Sequence, residues 1–201
     1  MRRVLLVLFV LCLSVSGMCF ADTKFTIEAK PLSVLISPSL DGFTSTSSSY
    51  WWSTSETIDG TNSFFPSLLL GAEIGPKDGN AFGVSFGGGY LYNEVIESPV
   101  LEAVVSYRFR KSDSFSIAPH FGLISFTSPE WYGTADLALS ETTGVLAGVN
   151  FAVGSPKVSF SASLDYINAA FDVTPSSYWR VSSNEMDISG LAIQLGVLFK
   201  F

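Results

Sequence analysis

Few residues in this chain could carry out chemistry. It has a single histidine, His120. An imidazole could serve as the base in an acyl transfer, but that reaction also needs an activated serine and a carboxylate to orient the ring. Serines occur along the whole sequence, so one near His120 identifies nothing. The acidic residues show no fixed spacing of the calcium-loop kind. The reading is therefore no enzyme, no cofactor and no metal site.

Three further sets of residues could carry a function. Glu28, Lys30, Glu73, Glu102, Arg108, Arg110, His120, Asp165 and Asp187 share one phase of a period-two pattern. In a narrow interior such charges must be paired or hydrated, so they form either a plug of ion pairs or a thin polar conduit. Aromatic residues come in clusters, Tyr50-Trp51-Trp52, Trp131-Tyr132 and Tyr178-Trp179, which together hold all 4 tryptophans. They fit an interfacial belt with loop packing, or a rim that captures an apolar solute or touches a host surface. Acidic residues between the strands (Glu56, Glu94, Glu130 and Asp172 among them) either solvate a rim or favour cations.

The elements that must position these groups begin with a leader. Met1-Arg2-Arg3 precedes an unbroken apolar run from Val4 to Leu13, and Cys19-Phe20-Ala21 supplies small residues before Asp22. A basic start, an apolar core and a small-residue cleavage site predict a secretory signal over residues 1–21. The alternatives are an uncleaved membrane anchor and a lipid-modified Cys19. Cleavage removes Arg2, Arg3 and both cysteines, so 9 of 11 basic residues face all 18 acidic ones and the net charge moves from -7 to about -9. The mature chain then has no disulfide and no cysteine-ligated metal, and its charge excludes nucleic acid as a partner.

Residues 22–201 carry strand periodicity. Val158, Phe160, Ala162, Leu164 and Tyr166 alternate with Lys157, Ser159, Ser161, Ser163 and Asp165. The same alternation recurs over 66–74, 82–90, 101–110, 114–123, 144–153 and 191–201. A poorer first strand covers Lys24 to Ile36, interrupted by Pro31. Tight turns at 76–80, 110–113 and 154–157 alternate with longer segments at 38–62, 92–98, 127–142 and 168–184. An even strand count with short turns at one end predicts an all-β fold, an eight-stranded antiparallel transmembrane up-and-down β-barrel. One face of the strands carries Phe, Tyr, Leu and Val, and the other Gly, Ser, Ala and charges. The large residues would overfill so narrow a lumen, so they are expected on lipid. A secreted sandwich or lipocalin-like barrel is the soluble alternative.

With this signal, these strands and this loop alternation, and with Phe201 alternating with Phe199 and Val197, the chain resembles the small eight-stranded outer-membrane proteins of Gram-negative-type bacteria. Its plan is that of the OmpW, OmpX and OmpA-barrel groups, with a lean to the OmpW-like group from the long aromatic first loop. The resemblance covers residues 22–201. It implies an integral outer-membrane protein with extracellular long loops and periplasmic termini. Val197, Phe199 and Phe201 would be read by the barrel assembly machinery, and outer-membrane lipid would surround the strands. Two functions follow: a small pore for an apolar or cationic solute, or a non-transporting anchor whose loops act as adhesin or surface antigen toward a host component.

Overall fold

In the computed structural model, residues 22–40, 42–48, 53–58, 62–76 and 79–201 are described. Residues 1–21, where a leader is expected, and Tyr50, Trp51 and Trp52 lie outside the described residues. Eight long strands make the barrel: β1 (Asp22–Ile36), β2 (Ser67–Gly75), β3 (Ala81–Tyr92), β4 (Ile96–Ser112), β5 (Phe115–Phe126), β6 (Thr142–Gly154), β7 (Val158–Asn168) and β8 (Gly190–Lys200). Each pairs antiparallel with the next, and β1 pairs with β8 to close the ring. Closure gives every strand two partners and leaves no unpaired edge, as hydrocarbon requires.

The apolar stripes point outward. On β7, Phe160 is 55% exposed while its neighbour Ser161 is 1% exposed. Phe25, Leu70, Phe86, Phe121 and Ile193 join Phe160 in an exposed apolar belt around the ring. A barrel facing water on the outside would bury these side chains and expose the serines, so the belt marks a lipid-facing surface.

Pro31 does not end the first strand. The β1–β8 register shifts between Ala29 and Leu32, so Pro31 and Leu32 both face out while Lys30 and Ser33 are both buried. A bulge takes up the residue that cannot donate to the ladder and reverses the phase beyond it.

One expected loop is a turn. The 92–98 connection shrinks to residues 93–95, because β3 and β4 run on to Tyr92 and from Ile96. Asn93 closes it, its side-chain oxygen accepting the amides of Val95 and Ile96 at 2.9 and 2.7 Å. The described parts of the other three connections at this end fold into a cap. Thr44–Ser48 pairs with both Ser53–Thr57 and Trp179–Val181, and Ala170–Pro175 pairs with both Leu137–Leu139 and Glu185–Asp187.

The interior has two layers. Toward the loops it is apolar: Leu35, Leu91, Ile124, Phe126, Leu146 and Ile167 from the strands pack with Leu40, Phe65, Phe171, Met186 and Ile188 from the cap. This corrects the expectation of a lumen lined only by small and charged residues. Toward the tight turns it is polar, and the inward-phase charges meet there.

Candidate functional site: the filled lumen

The polar layer is a cross-strand network built at inward positions. His120 on β5 stands opposite Gly148 on β6, which stands opposite Asp165 on β7. A side chain at Gly148 would collide with Asp165 Oδ1. The missing Cβ leaves a gap across which His120 Nε2 approaches Asp165 Oδ1 to 2.7 Å. The other ring nitrogen lies 3.3 Å from the Ala118 carbonyl oxygen. The approach to Asp165 Oδ1 is close but lacks hydrogen-bond geometry, so the imidazole and the carboxylate meet as packed neighbours in the lumen.

Glu73 on β2 is clamped by two cations. Arg108 Nε on β4 donates to Glu73 Oε1 at 2.6 Å, and Lys200 Nζ on β8 donates to Glu73 Oε2 at 2.9 Å. Arg108 Nη1 also donates to Ser116 Oγ at 3.0 Å and reaches Asn150 Oδ1 at 3.5 Å. Asn150 Nδ2 donates to Glu28 Oε1 and to Ser163 Oγ, both at 2.8 Å. Lys30 Nζ donates to Gln194 Oε1 at 2.8 Å and faces the carboxylates of Glu28, Glu102 and Asp165. Glu102 Oε1 is buried without a hydrogen-bond partner, facing the small remaining space. That space is a cavity of about 50 Å3, bounded by Glu28, Lys30, Glu73, Glu102, Arg108 and Asp165 among others.

Seven of the nine inward-phase charges thus meet in one network: Glu28, Lys30, Glu73, Glu102, Arg108, His120 and Asp165. Arg110 instead lines a separate vestibule at the tight-turn mouth. Asp187 is not in the lumen. It belongs to the short cap strand Glu185–Asp187, where its Oδ1 accepts the Ser189 amide at 2.8 Å. Asn150, Gln194 and Lys200 are network members that charge and motif reasoning passed over. Their inward phase in clean alternation was the available signal.

The loop aromatics divide. Trp131 and Trp179 pack against the apolar core of the cap, and the Trp131 ring meets Phe43 edge-on at 6.5 Å. Tyr132 and Tyr178 face outward. The Tyr132 hydroxyl donates to Glu130 at 2.6 Å, and that carboxylate pushes the phenol up to about 12. Several loop acids serve as stitching: Glu56 accepts the Thr134 and Ala135 amides at 3.0 and 3.1 Å, and Glu141 accepts the Ser128 amide at 3.2 Å. Among the described residues, no group of three or more His, Cys, Asp or Glu side chains could hold a metal ion. At the C-terminus Phe199 and Phe201 lie on the lipid face, and the Phe201 amide donates to the Phe25 carbonyl at 2.9 Å.

The fold and this interior define a small eight-stranded transmembrane β-barrel whose lumen is filled. Solved structures of outer-membrane and surface proteins align with the chain. The outer membrane protein OprG from Pseudomonas aeruginosa superposes with a TM-score of 0.52 at 11% identity, over 90% of this chain and 97% of that one. Neisserial surface protein A aligns at 18% identity with a TM-score of 0.40, over 90% and 99% of the two chains. Ail, the attachment invasion locus protein of Yersinia pestis, aligns at 12% identity with a TM-score of 0.36 and the same coverage. No protein-family model matches the sequence, and no curated protein does either.

Proposed function

We propose that residues 22–201, after removal of the leader, form an outer-membrane anchor that presents its folded loop cap as an interaction surface and conducts no solute. The observation that carries this reading is the two-layer interior. A permeant ion would have to cross the apolar layer around Phe126, Phe171 and Ile188, where a constriction this apolar excludes water. It would then meet the Arg108–Glu73–Lys200 cluster, above which a cavity of about 50 Å3 leaves room for only a few waters. The barrel has the general plan shared by the OmpW, OmpX and OmpA-barrel groups. On that plan the loop cap is extracellular and the tight turns and termini are periplasmic. Outer-membrane lipid meets the exposed belt, and the assembly machinery reads Val197, Phe199 and Phe201.

The cap suits an interaction role because its described segments are folded onto one another. Its strands pair across separate loops, and Glu56 ties the first loop to the third. A pre-ordered surface loses less entropy on binding than a mobile one. The partner class is a component of a host surface. Planar-bilayer recording tests the reading: the refolded protein should show no steady conductance, and cells displaying it should adhere to host matrix more than cells displaying a loop-deleted barrel. Reproducible single-channel steps from the wild-type protein would overturn it.

A further inference from the structure

One of the two small sheets in the cap presents a polar face. Thr44–Ser48 lies between Ser53–Thr57 and Trp179–Val181, antiparallel to both. Side chains in direct cross-strand register share a face, so the pairing sorts them. Trp179 and Val181 pack against the apolar core, and Ser45, paired with Val181, is buried on the same side. Arg180, Thr46 and Ser55 form a cross-strand row on the opposite face. The adjoining row is Ser182, Thr44 and Thr57. There the Ser182 amide donates to the Thr44 carbonyl at 2.8 Å, and the Thr44 amide donates to Ser182 Oγ at 3.1 Å. The Thr44 and Thr57 hydroxyls meet at 3.4 Å. Tyr178, 79% exposed, directly precedes the strand that carries Arg180.

The composition of this face selects the chemistry of a partner. Its two rows hold no Leu, Ile, Val, Met or Phe, so they lack the apolar centre on which proteins dock. They offer hydroxyl groups on a regular grid, about 5 Å apart across strands and about 7 Å along them. Among the described residues no partner engages the Thr46 or Ser55 hydroxyl, so both are available. A polyhydroxylated ligand matches such a grid, and a tyrosine ring adds a rigid surface for the C–H face of a sugar. Arg180 sets the charge. It is the single basic residue of the connections at this end, whose acids include Glu56, Glu94, Glu141 and Asp172. No carboxylate among the described residues forms a salt bridge with it. A guanidinium fork donates two parallel hydrogen bonds to one carboxylate. The surrounding acids repel a ligand with many negative charges.

We propose that this cap sheet binds an oligosaccharide bearing a single acidic sugar, with the sugar ring on Tyr178, its carboxylate on Arg180 and its hydroxyls over Thr46 and Ser55. The inference rests on the reading of the cap as an interaction surface and names the chemistry of its partner. A carbohydrate follows from the hydroxyl grid beside an exposed aromatic ring. A single acidic group follows from one guanidinium set among carboxylates, which favours one negative charge and disfavours a polyanion.

The test is saturation-transfer NMR of the protein, refolded in a zwitterionic detergent without sugar groups and titrated with sialyllactose or lactose. Sialyllactose should bind saturably and about tenfold more tightly than lactose, the scale of a hydrogen bond to a charged group. Arg180→Gln should abolish that preference, and Tyr178→Ala should weaken both sugars. Tyr132→Ala is the control, because Tyr132 is an exposed tyrosine of a different connection. It should bind as wild type does. Gel mobility without heating reports that each barrel is closed, and Tyr178→Ala stands alone if Arg180→Gln does not fold. Absence of saturable sialyllactose binding would overturn the inference, as would a preference retained in Arg180→Gln. Equal loss in Tyr132→Ala would mean unspecific contact with cap aromatics and overturn the site. Tighter binding of heparin than of sialyllactose would assign the face to polyanions and overturn the single acidic sugar. The anchor reading fails separately, by conductance. Cells that adhere equally to sialidase-treated and untreated host matrix would overturn the sugar and leave a host partner standing.

Discussion

His120 and Asp165 are two strands apart, and they touch because Gly148 stands between them without a side chain. A Cβ at Gly148 would fall on Asp165 Oδ1 and crowd the Leu164 carbonyl oxygen. Gly148→Ala must therefore push Asp165 away or spread the strands. Separating a buried imidazole and carboxylate leaves each in a poor environment, at about 1–3 kcal/mol per unsatisfied group. The expected outcome is a lower urea midpoint for the refolded barrel with the slope unchanged. Gly83→Ala is a useful comparison, since its nearest neighbour is the movable Ser106 hydroxyl, and its loss should be smaller. Equal midpoints for Gly148→Ala and wild type would show that the pair contributes nothing.

A second prediction concerns Glu73. Both of its oxygens take cations, and the side chains of Glu73 and Arg108 are each 6% exposed. Removing the shared carboxylate strands two positive charges in the lumen. Glu73→Ala should cost about 3–5 kcal/mol, the range for breaking a buried pair from one side. Glu73→Ala with Arg108→Met should recover much of that loss, because only Lys200 then remains, and it can turn to the vestibule. Denaturant unfolding of the three proteins checks this. A double variant no more stable than the single one would contradict the clamp.

Lipid facing has a depth signature. Leu164 pairs with Ile193 near the middle of the ladder, whereas Val158 pairs with Phe199 close to the tight-turn end. Leu164→Arg should cost about 2–4 kcal/mol and Val158→Arg about 0–1 kcal/mol, following the cost of arginine with membrane depth. Spin labels along 158–166 should alternate between oxygen and water contact. Equal penalties at the two sites, or a flat label profile, would put the belt somewhere other than in a bilayer.

These relationships were unevenly legible in the sequence. Period two is clear where small and large residues alternate, as in Phe160-Ser161-Ala162-Ser163, and it placed seven of the eight strands with the correct face outward. It weakens at the loop ends, where Ile124, Leu146 and Ile167 face inward beside outward apolar residues. Neither face is polar there, so the apolar seal left no alternation to read. Pro31 hid the phase reversal of β1, since a bulge moves Ser33 into the lumen by adding a residue that no periodicity counts. Asp187 failed for a different reason: a three-residue strand in the cap has parity but no barrel to face. Asn150 and Gln194 sat in the correct phase, but an uncharged amide draws no notice until its partners are known.

The last prediction concerns the seal itself, which has two levels in series. At the loop end Phe126 and Phe171 pack edge to face at 5.6 Å, both fully buried, and the apolar core extends from them to Met186 and Ile188. At the other end stands the clamp on Glu73. Blocks in series each suffice to stop flow, so breaching one should leave the barrel silent in a planar bilayer. Glu73→Ala with Arg108→Ala removes the clamp from the polar level, but any ion admitted still faces a dry apolar layer it cannot hydrate. Phe126→Ala with Phe171→Ala opens the apolar level, at about 3–5 kcal/mol per phenylalanine, and leaves Lys200 and Arg108 filling the passage. The four-site variant should give small, brief conductance steps that neither pair gives alone, provided it still migrates as a closed barrel before heating. Steady current through the Glu73/Arg108 pair variant would mean that the loop-end layer passes water freely. That result would defeat the non-conducting anchor and restore the pore.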